Sequence, residues 1–465
     1  MDNHGPMATM EASLKFELML KTIGNDGVTA QVSLGDIRRG EVDDVALLGL
    51  ELCESKRLLS SLQHEIVTKQ VEAMTCKRQS CACCGATLTI KDYQPARFRS
   101  LFGDVELRVP RHVKCGCADA RSGQPAPRRR WVSAELECVQ SELAATLSYQ
   151  RSAQVLRMLM PMGRGHSAST VRARTLRVGK RLEAELTEAH ALSVHPSRVS
   201  TIGLDGGYVR HCDPESTHSF EIIAGRVLAQ DGSQRSMGFV RSIDEHSRER
   251  VQRAVAELGG GADDLRVFTD GDGPLRDLQL AVLPEATHVL DWYHLTRRLT
   301  VLASVVNGKE AADELPARDH DRFSGWVNSI KWRLWHGRPA KAIARLQSML
   351  GALARPSLQR NPVVKRMKKL AAELLGYLKN NADSIPDYGR RYRAGERIST
   401  SFVESAVNQI VDKRMSKSQQ MHWSPQGAHL ILQVRTSVID GRLREHFARW
   451  HPGFSANDSD LQRRA

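Results

Sequence analysis

Three carboxylates stand in settings where a metal ion could hold a phosphate. Asp205 closes the apolar run Ile202-Gly203-Leu204 and is followed by Gly206 and Gly207, whose bare backbones admit a close neighbour. Asp270 repeats the arrangement, with Val267-Phe268-Thr269 leading in and Gly271 following. Pro274 takes the next ligand position, so this is no calcium loop. Glu404 borders a helical stripe of Val403, Ala406, Val407, Ile410 and Val411, where a side chain can lie between core and cleft. Ser401 and Glu404 also have capping-box spacing, so helix capping competes for the same carboxylate. Cleavage of a phosphodiester by two metal ions needs several hard oxygens around ions ~3.5–4 Å apart. Two strand-end Asp residues and a late helical Glu suit two Mg²⁺ or Mn²⁺ ions.

A second chemistry belongs to sulfur. Six of the nine cysteines fall between Cys76 and Cys117, a clustering that points to metal before disulfides. Cys81 and Cys84 form a C-x-x-C pair before Gly85, and Cys115 and Cys117 form a tighter C-x-C pair. Between the pairs Val105, Leu107 and Val109 alternate with Asp104, Glu106 and Arg108, as on a two-sided strand. Thiolate pairs at the ends of a hairpin make a tetrahedral cage for structural Zn²⁺. The C-x-C spacing leaves the fourth ligand open, with Cys83 and His112 as substitutes for Cys115.

Charge decides the class of partner. Lys and Arg total 67 against 53 acidic residues, a net of +14, which favours a polyanion because each neutralised phosphate releases counterions. A helical run from Ser152 to Met162, the turn Gly163-Arg164-Gly165 and a second helix from Ser167 fit a helix-turn-helix plan. Arg174, Arg177 and Arg181 are its candidate DNA contacts, and a solvated bundle face is the other reading. Lys413, Arg414 and Lys417 give the segment after Glu404 a basic side, and Lys365, Arg366, Lys368 and Lys369 do the same further upstream. The first twenty residues lack a continuous apolar core and no run approaches 18 apolar residues, so a cytoplasmic, membrane-free protein is expected.

The elements that must carry these groups follow from periodicity. Short β-rich runs at 199–204, 220–228, 237–242, 265–269 and 288–290, with a helical stretch at 245–258, give three strands, a helix and two more strands. That is the order of an RNase H-like core. Residues 294–380 are helical in pattern, with Trp326, Trp332 and Trp335 among them.

With those elements in place, longer motifs carry a resemblance. The stretches are Ile202-Gly-Leu-Asp205-Gly-Gly, Phe268-Thr-Asp270-Gly-Asp-Gly, His288-Val-Leu-Asp291-Trp-Tyr-His294, Ser401-Phe-Val-Glu404-Ser-Ala-Val-Asn408-Gln and Lys413–Trp423. From about Cys81 to Leu443 the chain resembles bacterial insertion-sequence DDE transposases of the ISKra type, within the Mutator-like superfamily. The resemblance implies a catalytic triad of Asp205, Asp270 and Glu404 and an all-helical insertion between the second Asp and the Glu. It also implies that Asp291-x-x-His294 is the superfamily's C/D-x-x-H signature, with His294 either at the scissile phosphate or structural beside Trp292 and Tyr293. The C-x-C at Cys115 and Cys117 departs from the family's C-x-x-C.

The expectation is an α/β protein with a mixed-sheet RNase H-like core split by helices. Its parts are an N-terminal helical region (1–75), a zinc-ribbon-like module (76–132) and a helix-turn-helix-like DNA-binding region (133–195). The first part of the core (196–293), the helical insertion (294–395) and the C-terminal core helix with its tail (396–465) complete it. The expected activity is binding of terminal inverted repeats, strand cleavage and strand transfer, with double-stranded DNA as transposon ends and target, on a homo-oligomer. A catalytically silent, domesticated DNA-binding protein and an RNase H-like nuclease without strand transfer are the alternatives.

Overall fold

The computed structural model describes residues 14–455, except 25–26, 28, 41–43, 77–79, 82–83, 114–116, 118–130, 164–165, 187–196, 359, 400 and 417–420. The protein is mixed α/β. It divides into two compact units, Met1–Thr175 with Arg444–Ala465, and Leu176–Leu443.

The first unit opens with an antiparallel hairpin, β1 (Leu14–Ile23) and β2 (Thr29–Arg39), where a helical region was expected. Leu14, Phe16, Leu18 and Leu20 alternate with mostly polar residues, a period of two that suits a strand. The helix comes later, as α1 (Leu52–Cys76). β3 (Ile90–Ser100) and β4 (Gly103–His112) form a second hairpin, and β5 (Trp131–Val132) pairs with β3. Val67 of α1 packs on the inward-facing Val105 and Leu107 of β4, which places the cysteine segment beside a small core. Helices α2 (Ala134–Thr146) and α3 (Tyr149–Leu159) follow, capped by the hydroxyls of Ser133 and Ser148. The unit also holds the start of α4 (Ala168–Leu186) and α15 (Leu443–Trp450), whose Arg444 pairs with Glu135.

The second unit is built on a five-stranded sheet. Its strands are β6 (Val199–Arg210), β7 (Ser219–Ala229), β8 (Gln234–Val240), β9 (Gly261–Thr269) and β10 (Thr287–Leu290). Their spatial order is β10-β9-β6-β7-β8, with β6, β7 and β8 antiparallel and β9 and β10 parallel to β6. Both faces are covered, so the central strands are apolar in nearly every position. On one face α5 (Ser247–Ala256) and α6 (Gly273–Val282) pack with Ile202, Leu204, Val227 and Val267. The short α6, between the last two strands, was not foreseen; Asp272 and Pro274 start it. The other face is covered by α13 (Ser401–Val407), a π-helical stretch (Asn408–Ser416) and α14 (Pro425–Ile439). Val403 sits against Gly203, Val407 and Val411 near Gly207, and Ile410 and Leu432 near Gly238. Gly203 is obligatory here, since a Cβ would lie 1.8 Å from Val403 Cγ2.

Between β10 and α13 the chain is helical. It forms α7 (Trp292–Val306), α8 (Lys309–Glu314), α9 (Ala317–Trp335), α10 (Pro339–Leu353), α11 (Pro362–Asn380) and α12 (Tyr388–Arg393). These helices bury a core of their own, including Leu302, Phe323, Leu346, Met367 and Leu378. Trp335 packs on Trp292, whereas Trp332 is exposed. Among the described residues no helix is long and apolar enough to cross a membrane.

Candidate metal centre and its surroundings

Asp205 lies in the middle of β6 and is almost wholly buried, with Oδ1 accepting the Gly206 N–H at 2.8 Å. Residues 203, 205 and 207 point to one face of the sheet, so Asp205 projects between the two glycines on which α13 rests. Asp270 follows the adjacent parallel strand β9. Its Oδ1 accepts the Asp272 N–H at 3.0 Å, closing a tight turn through Gly271 at φ +86°. His294 stands in the first turn of α7, its Nε2 3.7 Å from Asp205 Oδ2 and 3.6 Å from Asp291 Oδ2. One ligand atom from each of Asp205, Asp270 and His294 falls within 4.8 Å of the others, a grouping that could hold a metal ion.

Asp291 has different work. It is fully buried, its Oδ1 accepts the Tyr293 N–H at 2.8 Å, and its own N–H donates to Thr269 O at 3.0 Å. It is thus the N-cap of α7 and ties that helix to the end of β9, aiming His294 at the carboxylates. Burial raises the Asp270 carboxyl above its usual range; the Asp272 N–H pulls it back, and the negative charge of Asp205 adds to the rise. Pairing with Asp205 raises the His294 imidazole, with burial opposing. Two carboxylates crowded beside an imidazole is an electrostatic pattern suited to holding a cation.

Glu404 belongs to α13, the helix laid on β6, but its side chain lies outside the described residues, as does that of Ser401, its rival capping partner.

The helical insertion supplies groups that sequence reasoning missed. Tyr377 of α11 donates its hydroxyl to Asp270 O at 2.8 Å, and the Arg298 guanidinium stacks 4.3 Å from the Tyr377 ring centroid. Asn381 donates to Tyr377 O at 3.0 Å, and its Oδ1 lies 2.8 Å from where a Gly271 Cβ would sit. Tyr388 of α12 donates to Leu290 O at 2.8 Å, one residue before Asp291. Tyr388 is buried and Tyr377 half-buried, and the loss of solvent around each phenol raises it above the ordinary tyrosine value and keeps it a donor. Their sequence signal was only that of helical core aromatics.

The thiols of Cys81, Cys84 and Cys117 also fall within 4.8 Å of one another. Gly85, at φ +69°, donates its N–H to Cys81 O at 2.8 Å, and the Cys81 N–H donates to Ala86 O at 2.8 Å. This turn brings both thiols of the C-x-x-C pair to one side. Cys115 and Cys83 lie outside the described residues, and the buried His112 is not part of the thiol grouping.

A third grouping, Glu183, Asp244 and His429, was not read from the sequence. Its centre is taken by Arg250, whose Nη2 lies 2.7 Å from Glu183 Oε1 and 2.8 Å from Asp244 Oδ1, while Nη1 donates to Gln433 at 2.6 Å. Burial would raise Glu183, but His429 and Arg250 hold it down to about 2. A guanidinium already serves as the cation, so these residues form an ion-pair cluster.

Two candidate DNA contacts need correction. Arg174 is buried with Val171, Thr175 and Val178 and donates to Gln140 Oε1 at 2.9 Å, because it lies three residues from Val171 and joins the inward stripe. Arg177 and Arg181 are exposed. Arg414 is fully buried, its guanidinium 5.1 Å from the centroid of the buried Trp423 ring. The π-helical winding of 408–416 changes the angle per residue and turns Arg414 inward, leaving Lys413 outside. Lys417 lies outside the described residues. Lys365, Arg366, Lys368 and Lys369 are exposed on α11.

The chain matches no family model and no curated protein.

Proposed function

We propose that this protein is a metal-dependent DNA transposase with an RNase H-like catalytic core. The observation that carries the reading is the convergence of Asp205 on β6, Asp270 just after the adjacent parallel β9 and His294 in the first turn of α7, on the side of the sheet covered by the helix that bears Glu404. The strand order β10-β9-β6-β7-β8, with helices after the third and fourth strands in sequence, is the arrangement expected of such a core. The motifs around Asp205, Asp270, Asp291, His294 and Glu404 and the net charge of +14 support a nucleic-acid substrate.

Asp205, Asp270 and Glu404 would hold two Mg²⁺ ions, which when bound activate the attacking water or 3′-hydroxyl and stabilise the leaving oxygen. The chain's own residues do the positioning. Asp272 fixes the Asp270 carboxylate through its N–H, and Tyr377 fixes the backbone beneath it. Asp291 holds α7 so that His294 Nε2 faces the cluster; protonated, this atom can donate to a non-bridging phosphate oxygen. In the same reading Cys81, Cys84 and Cys117, with Cys115 as the expected fourth ligand, form a structural Zn²⁺ site in a ribbon-like module.

The test is incubation with a duplex that spans the ends of the encoding element, with Mg²⁺ and with EDTA. Wild-type protein should cleave the ends and join the freed 3′-hydroxyl to target DNA. Glu404→Gln, Asp205→Asn and EDTA should each abolish both steps. Cleavage without joining would make the protein a nuclease, and activity surviving Glu404→Gln would leave Glu404 as a helix cap.

A further inference from the structure

Arg226 is a buried cation that the proposed chemistry does not use. It sits on β7 opposite Gly203, and Asp205 sits opposite Ala224, so Arg226 and Asp205 project from the same face as diagonal neighbours. Such neighbours lie roughly 7–8 Å apart. Arg226 is 8% exposed, and among the described residues its one hydrogen bond runs from Nη2 to Gln409 Oε1 at 2.8 Å. Its Nε is buried with no partner. The acid whose charge acts on it is Asp440, whose Oδ2 already accepts the Ser236 N–H at 2.8 Å. A guanidinium with five donors and one acceptor is under-satisfied, and burying it so has a cost that an anion would offset.

Arg226 lines a cleft of about 440 Å³. Ser200, Gln230, Gln234, Arg397 and Phe402 line it too. Among the described residues no carboxylate lines this cleft, and Asp231, in the turn beside it, is engaged by the N–H and hydroxyl of Ser233. Arg397 is exposed, with its guanidinium held 5.0 Å from the Phe402 ring centroid. Two guanidinium groups, a hydroxyl and two amides suit the non-bridging oxygens of a phosphate, which arginine engages in bidentate fashion.

We propose that this cleft is a second anion site, which takes a phosphate of the bound nucleic-acid strand outside the carboxylate cluster. The nucleic acid as source of the phosphate rests on the function proposed above; the anion site itself does not.

Two arms on the full chain test this. In the first, thermal unfolding is followed as inorganic phosphate replaces chloride at fixed ionic strength. Wild-type protein should gain melting temperature, and Arg226→Gln should gain none. Because Arg226 is buried, the exposed Arg397→Gln is run beside it and should lose most of the gain. No phosphate-dependent rise in wild type overturns the site. In the second arm, duplex DNA binding is measured by anisotropy across a salt series. Each neutralised phosphate contributes about 0.9 to the slope of log K against log salt. Arg226→Gln, and also Arg226→Gln/Arg397→Gln, should be shallower by about 0.9, because both arginines share one phosphate. A loss of about 1.8 in the double variant, or no loss at all, overturns the shared cleft. Phosphate stabilisation without any DNA binding keeps the anion site and overturns the nucleic acid as its source.

Discussion

Tyr377→Phe isolates what the helical insertion does for the candidate metal centre. The substitution keeps the ring on which Arg298 stacks and removes only the hydroxyl that donates to Asp270 O at 2.8 Å. A neutral hydrogen bond of this kind contributes about 1 kcal/mol, and a buried carbonyl left unpaired costs about 1–3 kcal/mol. The loss falls on the backbone of a candidate metal ligand, in a turn where Gly271 holds a positive φ with no room for adjustment. If about 1.4 kcal/mol reaches the metal-bound state, cleavage slows about tenfold at fixed Mg²⁺. The assay is the initial rate of strand cleavage against Mg²⁺ concentration, with Mn²⁺ binding by calorimetry on the same samples. The expected result is a higher half-saturating metal concentration, with DNA affinity in EDTA unchanged. Identical metal curves for Tyr377→Phe and wild type would refute the claim that α11 braces this turn.

Other consequences can be checked by simpler means. Gly203→Ala should lower stability by about 1–3 kcal/mol or prevent folding, since Val403 leaves no space for a methyl group, and an unchanged urea midpoint would contradict the packing of α13. His288, flanked by Thr269 and Ser384, is pushed by burial down to about 4, so it folds neutral. Stability from it is therefore present above the unfolded imidazole value of 6.5 and is lost as pH falls toward 4, and His288→Gln should flatten that limb in thermal melts. Arg174→Met should lower the melting temperature without altering the salt dependence of DNA binding, whereas Arg177→Gln with Arg181→Gln should do the reverse. Cys84→Ser should reduce bound zinc from one ion per chain, read by atomic absorption, and lower the melting temperature of the first unit.

The sequence made the sheet legible where burial on both faces produced apolar runs, as in Val199–Leu204 and Val267–Thr269, because such runs depend little on distant partners. Helix α6 escaped notice because it is short and its apolar face is narrow. The hairpin β1–β2, in a region expected to be helical, was missed although its leucines and Phe16 alternate. At the candidate site, Asp205, Asp270 and His294 announced themselves through local motifs. Tyr377 and Arg226 could not, since their roles come from partners over a hundred residues away, in the hydrogen bonds of Tyr377 to Asp270 and Arg226 to Gln409. Arg174 and Arg414 were misread because nearer partners, Gln140 and Trp423, cover them. A basic residue on a helix looks solvated until Gln140 or Trp423 turns up beside it.

The placement of the helical insertion has a meaning in time as well as in space. On the ribosome, β6 to β10 emerge with Asp205, Asp270 and His294 long before α13 is made. At about 5–20 residues per second, the chain from Leu290 to Ser401 takes roughly 5–20 s to synthesise. During that interval the face of the sheet that carries Gly203 and Gly238 has no cover, and the nascent chain lacks Glu404. A half-made chain therefore holds Asp205, Asp270 and His294 without Glu404, and the candidate site is whole only once α13 is laid on the sheet.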